Sequence, residues 1–474
     1  MFKALDKWLS PYARSVVARP RPAPDEPVDI LVAVCDHFEP LSPGGNKPHA
    51  LGVKRVTRWL NDYPAFAENF RDTNGKHPQH SFFFPIEEAH PDFLRPLAEL
   101  TRQGVGEVEI HLHHRHDTAD NLRSTLADFR DVLHHEYGLL GTVAETRDGE
   151  DKDGHGAWSV ERGAGGAFRL KPAHQQAATN DQRPATHDLS RRSLAKPDSQ
   201  PAIHDSCAAP YAPSPGPEDS GAFRLKPVHQ QVTTDNGQRK TRPVFAFIHG
   251  NWALCNARPD GDWCGVDHEL SILKETGCYA DLTFPAIPSP CQPKRFCNSV
   301  YLAKERGRRS HDHGRRARVG VRADADELLM IQGPAALNWA WRKWGLLPRI
   351  EHADVSGANP PTPGRADLWV KQHIHVAGQP NWIFVKLHTH GCIERNSDVL
   401  LGEAMRQTHA RLQTKYNDGI TYRLHYVTAR EMANIAFAAM AGKTGDPGDY
   451  RDFVIAPPPC KTGRGRGAEG VGHQ

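Results

Sequence analysis

Residues 109–118, EIHLHHRHDT, place His111, His113, His114 and His116 almost side by side and follow them at once with Asp117. A neutral imidazole is a good ligand for a divalent ion, and a carboxylate beside it is another. A purification tag would also be histidine-rich, but tags sit at termini, whereas this cluster is internal and follows the strand-like VEIHL. Other stretches end an apolar run in the same manner. CDHFEP supplies Asp36, His37 and Glu39; FIHGNW supplies His249, Asn251 and Trp252; KLHTHG supplies His388 and His390. In parallel α/β folds the reactive groups lie at the carboxyl ends of strands. Four strand ends carrying metal-ligand or acid–base residue types therefore define a candidate site.

The elements that must position these residues are legible as alternating patterns. VDILVAVC (28–35) is a continuous apolar run of the kind found in buried parallel strands. HSFFFP (80–85) and VEIHLH (108–113) are further strands. Helices are expected near 50–70, over 91–104 with proline in the first turn, and over 118–138 with Thr118 as N-cap and Gly138 past the end. The pattern resumes with strands at 243–252, 278–285, 327–334, 382–391 and 420–428. The helices expected between and after them lie at 266–277, near 364–377, near 396–415 and over 429–441. Strand–helix alternation predicts a parallel sheet with crossover helices.

Between them, residues 145–240 read as a low-complexity, disordered insertion. It contains a near-duplicate, GAFRLKPAHQQ (166–176) and GAFRLKPVHQQ (221–231). Residues 1–27 read as an N-terminal extension and 456–474 as a disordered tail. The basic segment 304–318, with His311 and His313, reads as a solvated loop.

Composition narrows the function classes. A net charge of +3 creates no field that selects nucleic acid or an acidic membrane surface. No run of apolar residues is long enough to span a bilayer, and the first twenty residues lack a signal-peptide core. The nine cysteines are odd in number and contain no C-x-x-C pair. Cys255, Cys264, Cys278, Cys291 and Cys297 are expected as buried free thiols rather than a second metal site. A reducing, cytoplasmic setting fits this usage.

With these residues in view, the chain resembles the polysaccharide deacetylase superfamily, the NodB-type carbohydrate esterases. Asp36-His37, after VDILVAV, stands where that family carries an acidic pair that supplies a general base and a metal ligand. The stretch from His111 to Asp117 stands for its metal-binding histidine motif, with His113 and Asp117 four apart. FIHGNWALCN and the following VDHELSILKETGCYADLTFP match a later strand–helix–strand layout. VKLHTHG stands for the motif preceding a catalytic histidine.

The resemblance covers most of 28–142 and 243–430, within a domain expected over 28–442. It implies a distorted (β/α) barrel of about seven parallel strands. It also implies a metal-dependent hydrolase that removes acetyl groups from a carbohydrate by way of an activated water. The implied divalent ion, zinc first among candidates, would be held by His37, His113 and Asp117, with Glu39, His111, His114, His116 and His390 as alternates. Asp36 would take the proton from water and His388 would protonate the leaving group. His249, Asn251, Trp252 and Asp281 would contact substrate.

Two other functions fit the residues. A glycoside hydrolase could pair carboxylates drawn from Asp36, Glu39, Asp117 and Asp281. A non-catalytic carbohydrate-binding protein or scaffold would need no metal. At single positions, Asp36 can simply cap a loop, His37 and His249 can be satisfied core histidines, and His114 and His116 can be solvated or support the ligands.

Overall fold

The computed structural model describes residues 4–23, 25–145 and 240–461. The elements, in chain order, are α1 (Leu5–Val17), β1 (Val28–His37), α2 (His49–Ala67), β2 (His80–Pro85), α3 (Pro91–Arg102), β3 (Gly106–Leu112), α4 (Ala119–Tyr137) and β4 (Gly141–Ala144). After the insertion come β5 (Thr241–His249), α5 (Glu269–Thr276), β6 (Cys278–Asp281), β7 (Val300–Lys304), β8 (Gly314–Arg316), β9 (Glu327–Ile331), β10 (Ala336–Lys343) and β11 (Leu347–Glu351). The chain continues through α6 (Pro363–Lys371), β12 (Trp382–Thr389), α7 (Glu394–Leu400), α8 (Glu403–Tyr416), β13 (Tyr422–Tyr426) and α9 (Ala429–Met440).

One eleven-stranded sheet runs in the order β12-β1-β2-β3-β5-β6-β9-β7-β8, with β13 also on β1 and β4 also on β5. The β12, β13 and β2 pairings with β1 are parallel, as are β2–β3, β3–β5, β5–β6 and β6–β9. The β4–β5, β7–β8 and β7–β9 pairings are antiparallel. The molecule is thus α/β with a largely parallel central sheet. Eight of the eleven strands take part in parallel ladders, against about seven parallel strands expected, and among the described residues no ladder joins the two ends of the sheet.

Strand alternation sorts side chains onto two faces. On β1, Ile30, Val32 and Val34 join the apolar layer shared with α2, α3 and α4. Leu31, Ala33 and Cys35 face the opposite way, toward α9. The same parity holds on β12, where Val385 and Leu387 face the outer helices and Phe384 faces inward, and on β5, where Phe247 is outward and Ile248 inward. Helix α9 is buried at every residue and anchors the inner face. Its Arg430 is held by Glu107 of β3 at 2.9 and 3.0 Å, so a charge inside the fold is paired and hydrogen-bonded.

Several expected features change. The helix near 396–415 is two helices, α7 and α8, broken at Leu401-Gly402 where glycine disfavours continuation. The N-terminal extension contains α1, whose Trp8 is fully buried against Ile287, Cys297 and Ala335. The basic segment is not simply solvated. Ser310, His311 and Asp312 are buried, with His311 Nε2 3.0 Å from the Cys291 carbonyl oxygen, while His313 is exposed. Residues 456–461 also pack onto the fold: Ala456 and Thr142 exchange backbone hydrogen bonds, and Lys461 Nζ reaches Glu107 at 2.7 Å. The duplicated segment lies outside the described residues. The ends of that insertion meet, since Glu145 N donates to Lys240 O at 2.7 Å.

Candidate functional site

The carboxyl ends of β1, β3 and β12 open onto a cleft of about 260 Å³, lined by His37, Glu39, Glu87, Glu88, His113, Trp252, Trp263, His388 and His390 among others. Parity explains the convergence. His37 continues the inward row of Leu31, Ala33 and Cys35; His111 and His113 continue the inward face of β3; His388 and His390 continue that of β12. The His37 ring lies 4.7 Å from His111 edge-on and 4.7 Å from His390 in a stacked arrangement. Ligand atoms of His37, Glu39 and His111 all lie within 4.8 Å of one another. His113 Nε2 and His390 Nε2 stand 3.7 and 3.9 Å from Glu39 Oε1.

The hydrogen bonds decide which nitrogens face the cleft. His111 Nδ1 is 2.8 Å from the carbonyl oxygen of Ile248, which can only accept, so Nδ1 carries the proton. Its Nε2 then presents a lone pair to Glu39 Oε1 at 3.2 Å. Two acceptors at that distance require a positive charge between them, from a proton or a metal ion. His113 repeats the pattern, with Nδ1 at 2.5 Å from Glu87 Oε1. A carboxylate or carbonyl on the far nitrogen is the usual support of a metal-ligating histidine.

Burial and the neighbouring His390 and His111 hold the His37 imidazole well below its usual range, so it is neutral. Burial works against the Glu39 carboxylate, but its hydrogen bond to His111 and the nearby imidazoles keep it well below the carboxylate range. Burial lowers His113 and the Glu87 carboxylate raises it, for a net value of about 9. Burial and the Glu39 charge push Glu88 up to about 8. His388, held neutral by burial and Lys386, has an Nδ1 without a hydrogen-bond partner among the described residues.

Asp36 is elsewhere. It points outward with Val34, is fully buried, and accepts from Gly391 N at 2.6 Å and His80 Nε2 at 2.8 Å. Trp59 Nε1 donates to the Gly391 carbonyl at 3.1 Å. A side chain at 391 would place its Cβ 2.1 Å from Asp36 Oδ2, so only glycine permits this approach. Asp36 thus fixes the turn that carries His390 and does not reach the cleft.

The outward residues form a second group. His114, His249, Cys264 and Glu269 are all buried, with ligand atoms within 4.8 Å of one another, and could hold a metal ion. His114 Nε2 lies 2.8 Å from His249 Nε2 and 3.2 Å from Glu269 Oε1; His249 Nε2 lies 3.5 Å from the same oxygen. Burial disfavours charge on both imidazoles. It takes His249 down to about 3, whereas hydrogen bonds to Asp117, Cys264 and Glu269 outweigh it and raise His114 well above the usual range.

Of the other residues singled out, Asp117 supports His114 at 3.0 Å, and Asn251 and Trp252 line the cleft. His116 is exposed, its Nε2 3.7 Å from Asp262 Oδ1. Asp281 is buried beside Thr283, which donates from N at 3.0 Å and from Oγ1 at 2.8 Å. The five neighbouring cysteines are buried and not in disulfides, but Cys264, expected as a free thiol rather than part of a metal site, stands in this second group. Cys264 and Glu269 escaped the sequence reading because their spacing follows no zinc pattern; the one hint was an acidic residue opening an apolar helix. Compared with protein-family models, curated proteins and solved structures, the chain has no match.

Proposed function

We propose that the protein is a metal-dependent hydrolase, a divergent relative of the polysaccharide deacetylases on a distorted (β/α) barrel, which removes an acyl group from a carbohydrate bound in the cleft. The observation that carries this reading is the convergence of His37, Glu39 and His111, whose ligand atoms lie within 4.8 Å of one another where His37 and Glu39 line the open cleft. His37, Glu39 and His111 would hold the ion, with zinc favoured by imidazole and carboxylate donors. When bound, such an ion polarises the acyl oxygen and lowers the pKa of water.

The chain's own residues supply the rest. His113, which Glu87 raises to about 9 and so holds protonated at neutral pH, would give a proton to the departing amine or alkoxide and recover one from the attacking water. His388 lines the same cleft beside His37 and His390. Trp252 and Trp263 give the cleft aromatic faces on which a sugar ring can lie. Paired-carboxylate glycoside hydrolysis fits less well, because Asp36, Asp117 and Asp281 are all engaged outside the cleft and only Glu39 of the four lines it.

The test is acetate release from N- and O-acetylated oligosaccharides by the purified full chain, with metal content measured in parallel. We expect turnover that a chelator abolishes and a divalent ion restores. His111→Ala should lose the cleft ion and at least about 100-fold in rate. Acetate release that survives both complete chelation and His111→Ala would overturn the proposal.

A further inference from the structure

We propose that His114, His249, Cys264 and Glu269 form a second metal centre, closed to solvent and structural, which binds zinc and holds one wall of the cleft in place. It stands independently of any chemistry in the cleft.

The donor geometry comes first. His114 Nδ1 faces the Asp117 carboxylate at 3.0 Å, and His249 Nδ1 faces the carbonyl oxygen of Gly250. Both partners accept, so both Nδ1 atoms carry protons. The two Nε2 atoms then meet across 2.8 Å, a contact that needs a proton or a metal ion between them, with Glu269 Oε1 at 3.2 and 3.5 Å. Cys264 Sγ closes the group, 3.5 Å from Glu269 Oε2. A tetrahedral zinc ion with bonds of about 2.1 Å has ligand atoms about 3.4 Å apart, close to these separations. Two imidazoles, a thiolate and a carboxylate are a donor set that selects zinc over magnesium or calcium. All four residues are buried, which leaves no open position for water or substrate and marks a structural rather than a catalytic centre. The outer supports are also in place, since Glu269 Oε2 accepts from Cys255 N at 2.6 Å and Asp117 N donates to Cys264 O at 2.8 Å.

Placement supplies the reason for such a centre. His114 follows β3, His249 ends β5, and Cys264 and Glu269 lead into α5. Each of these segments also lends the cleft a residue: His113, Trp252 and Trp263. The same loops hold Asn251, Trp252, Cys255, Asn256 and Trp263 in the left-handed backbone region, with φ between 51° and 66°. Non-glycine residues keep that conformation only where surrounding contacts impose it, and a four-ligand cross-link imposes it.

Cys264 is the only thiol in either group, so the two sites can be read apart. The full chain, stripped and reloaded with cobalt(II), should show a thiolate-to-cobalt absorption band. The band should persist in His111→Ala and vanish in Cys264→Ser, with one equivalent of metal lost in each variant. The wild-type protein gives a second readout that no folding defect can mimic. Alkylation mapped by peptide mass should find Cys264 protected when metal-loaded and at least about ten times more reactive after chelation, the loss expected when a bound ion no longer holds the thiolate. Loss of metal in His111→Ala but none in Cys264→Ser would overturn this inference and spare the cleft reading. The reverse pattern would uphold it and sink the cleft reading. Cys264 reactivity indifferent to chelation would also overturn it.

Discussion

The cleft cluster and the buried cluster are both built on histidine and glutamate, the buried one adding Cys264, and they approach at adjacent positions, His113 and His114, yet they differ in the properties that decide a site's use. At the cleft, His37 and Glu39 line a cavity of about 260 Å³ and converge with the buried His111 behind them. In the buried cluster four donors close on one another beneath the loops. The difference arises from strand parity: odd-numbered histidines of the 111–114 run face inward and His114 faces the outer helices. One strand end can therefore feed an open site and a closed one, the closed site bracing the open one.

The largest test of that coupling is Gly250→Ala. Gly250 lies between His249 and the cleft, and a Cβ there would stand 2.2 Å from His113 Cδ2. Relief of that overlap must move either His113 or the loop that carries His249. We expect a loss of about 3 kcal/mol in denaturant unfolding, with metal depleted from both clusters. A variant that lost only one metal would show that the two sites are mechanically separate.

Asp36→Asn is next. If Asp36 positions the Gly391 turn rather than accepting the water's proton, the isosteric amide keeps an acceptor for Gly391 N. The rate should fall about 10-fold with the pH–rate profile unmoved. Removal of a true general base would cost about 100- to 10,000-fold and shift the profile.

Asp281 offers a control on the same inner sheet with no part in either cluster. Burial pushes its carboxyl up to about 7. The folded state therefore holds a proton that the unfolded chain releases near 4. The stabilising contribution is complete below that unfolded value and is lost as pH rises through about 7. Asp281→Asn should flatten this slope, on the order of 4 kcal/mol, as read by unfolding midpoints between pH 4 and 8. It should leave metal content unchanged; a loss of metal would tie Asp281 to the buried cluster.

How much of this was legible in the chain follows from the same parity. The continuous apolar run of β1, the Thr118 cap and Gly138 stop of α4, and the alternation of strands with helices all carry local signals, and each element falls within a few residues of its expected place. The imidazole-rich strand ends were likewise visible. The partition among them was not. Whether Asp36 or His37 faces the cleft depends on which side of β1 the helices cover, and no residue near Asp36 states it. Cys264 and Glu269 lie on a loop and a helix start whose meeting with His114 and His249 is set by tertiary packing alone. The antiparallel β4, β7 and β8, the β10–β11 hairpin and α1 were missed because none belongs to the repeating parallel strand–helix pattern.

The smallest expected effect is the most discriminating. Asp117 was a candidate ligand by its spacing from His113, but its Oδ2 lies 3.0 Å from His114 Nδ1, and its Oδ1 accepts from Thr118 N and Asn121 Nδ2 at 2.7 Å each. It therefore acts on the buried cluster through His114, fixing the ring's tautomer and orientation. Asp117→Asn keeps the size and one acceptor while removing the charge. Affinity at the buried cluster should fall about 10- to 100-fold, measured by competition with a chromophoric chelator, with stability at saturating metal changed by less than about 1 kcal/mol. Cleft metal and turnover should be untouched under those conditions. If the variant instead emptied the cleft, Asp117 would be acting on His113 rather than His114, and the assignment of neighbouring histidines to separate sites would fail at the position where they meet.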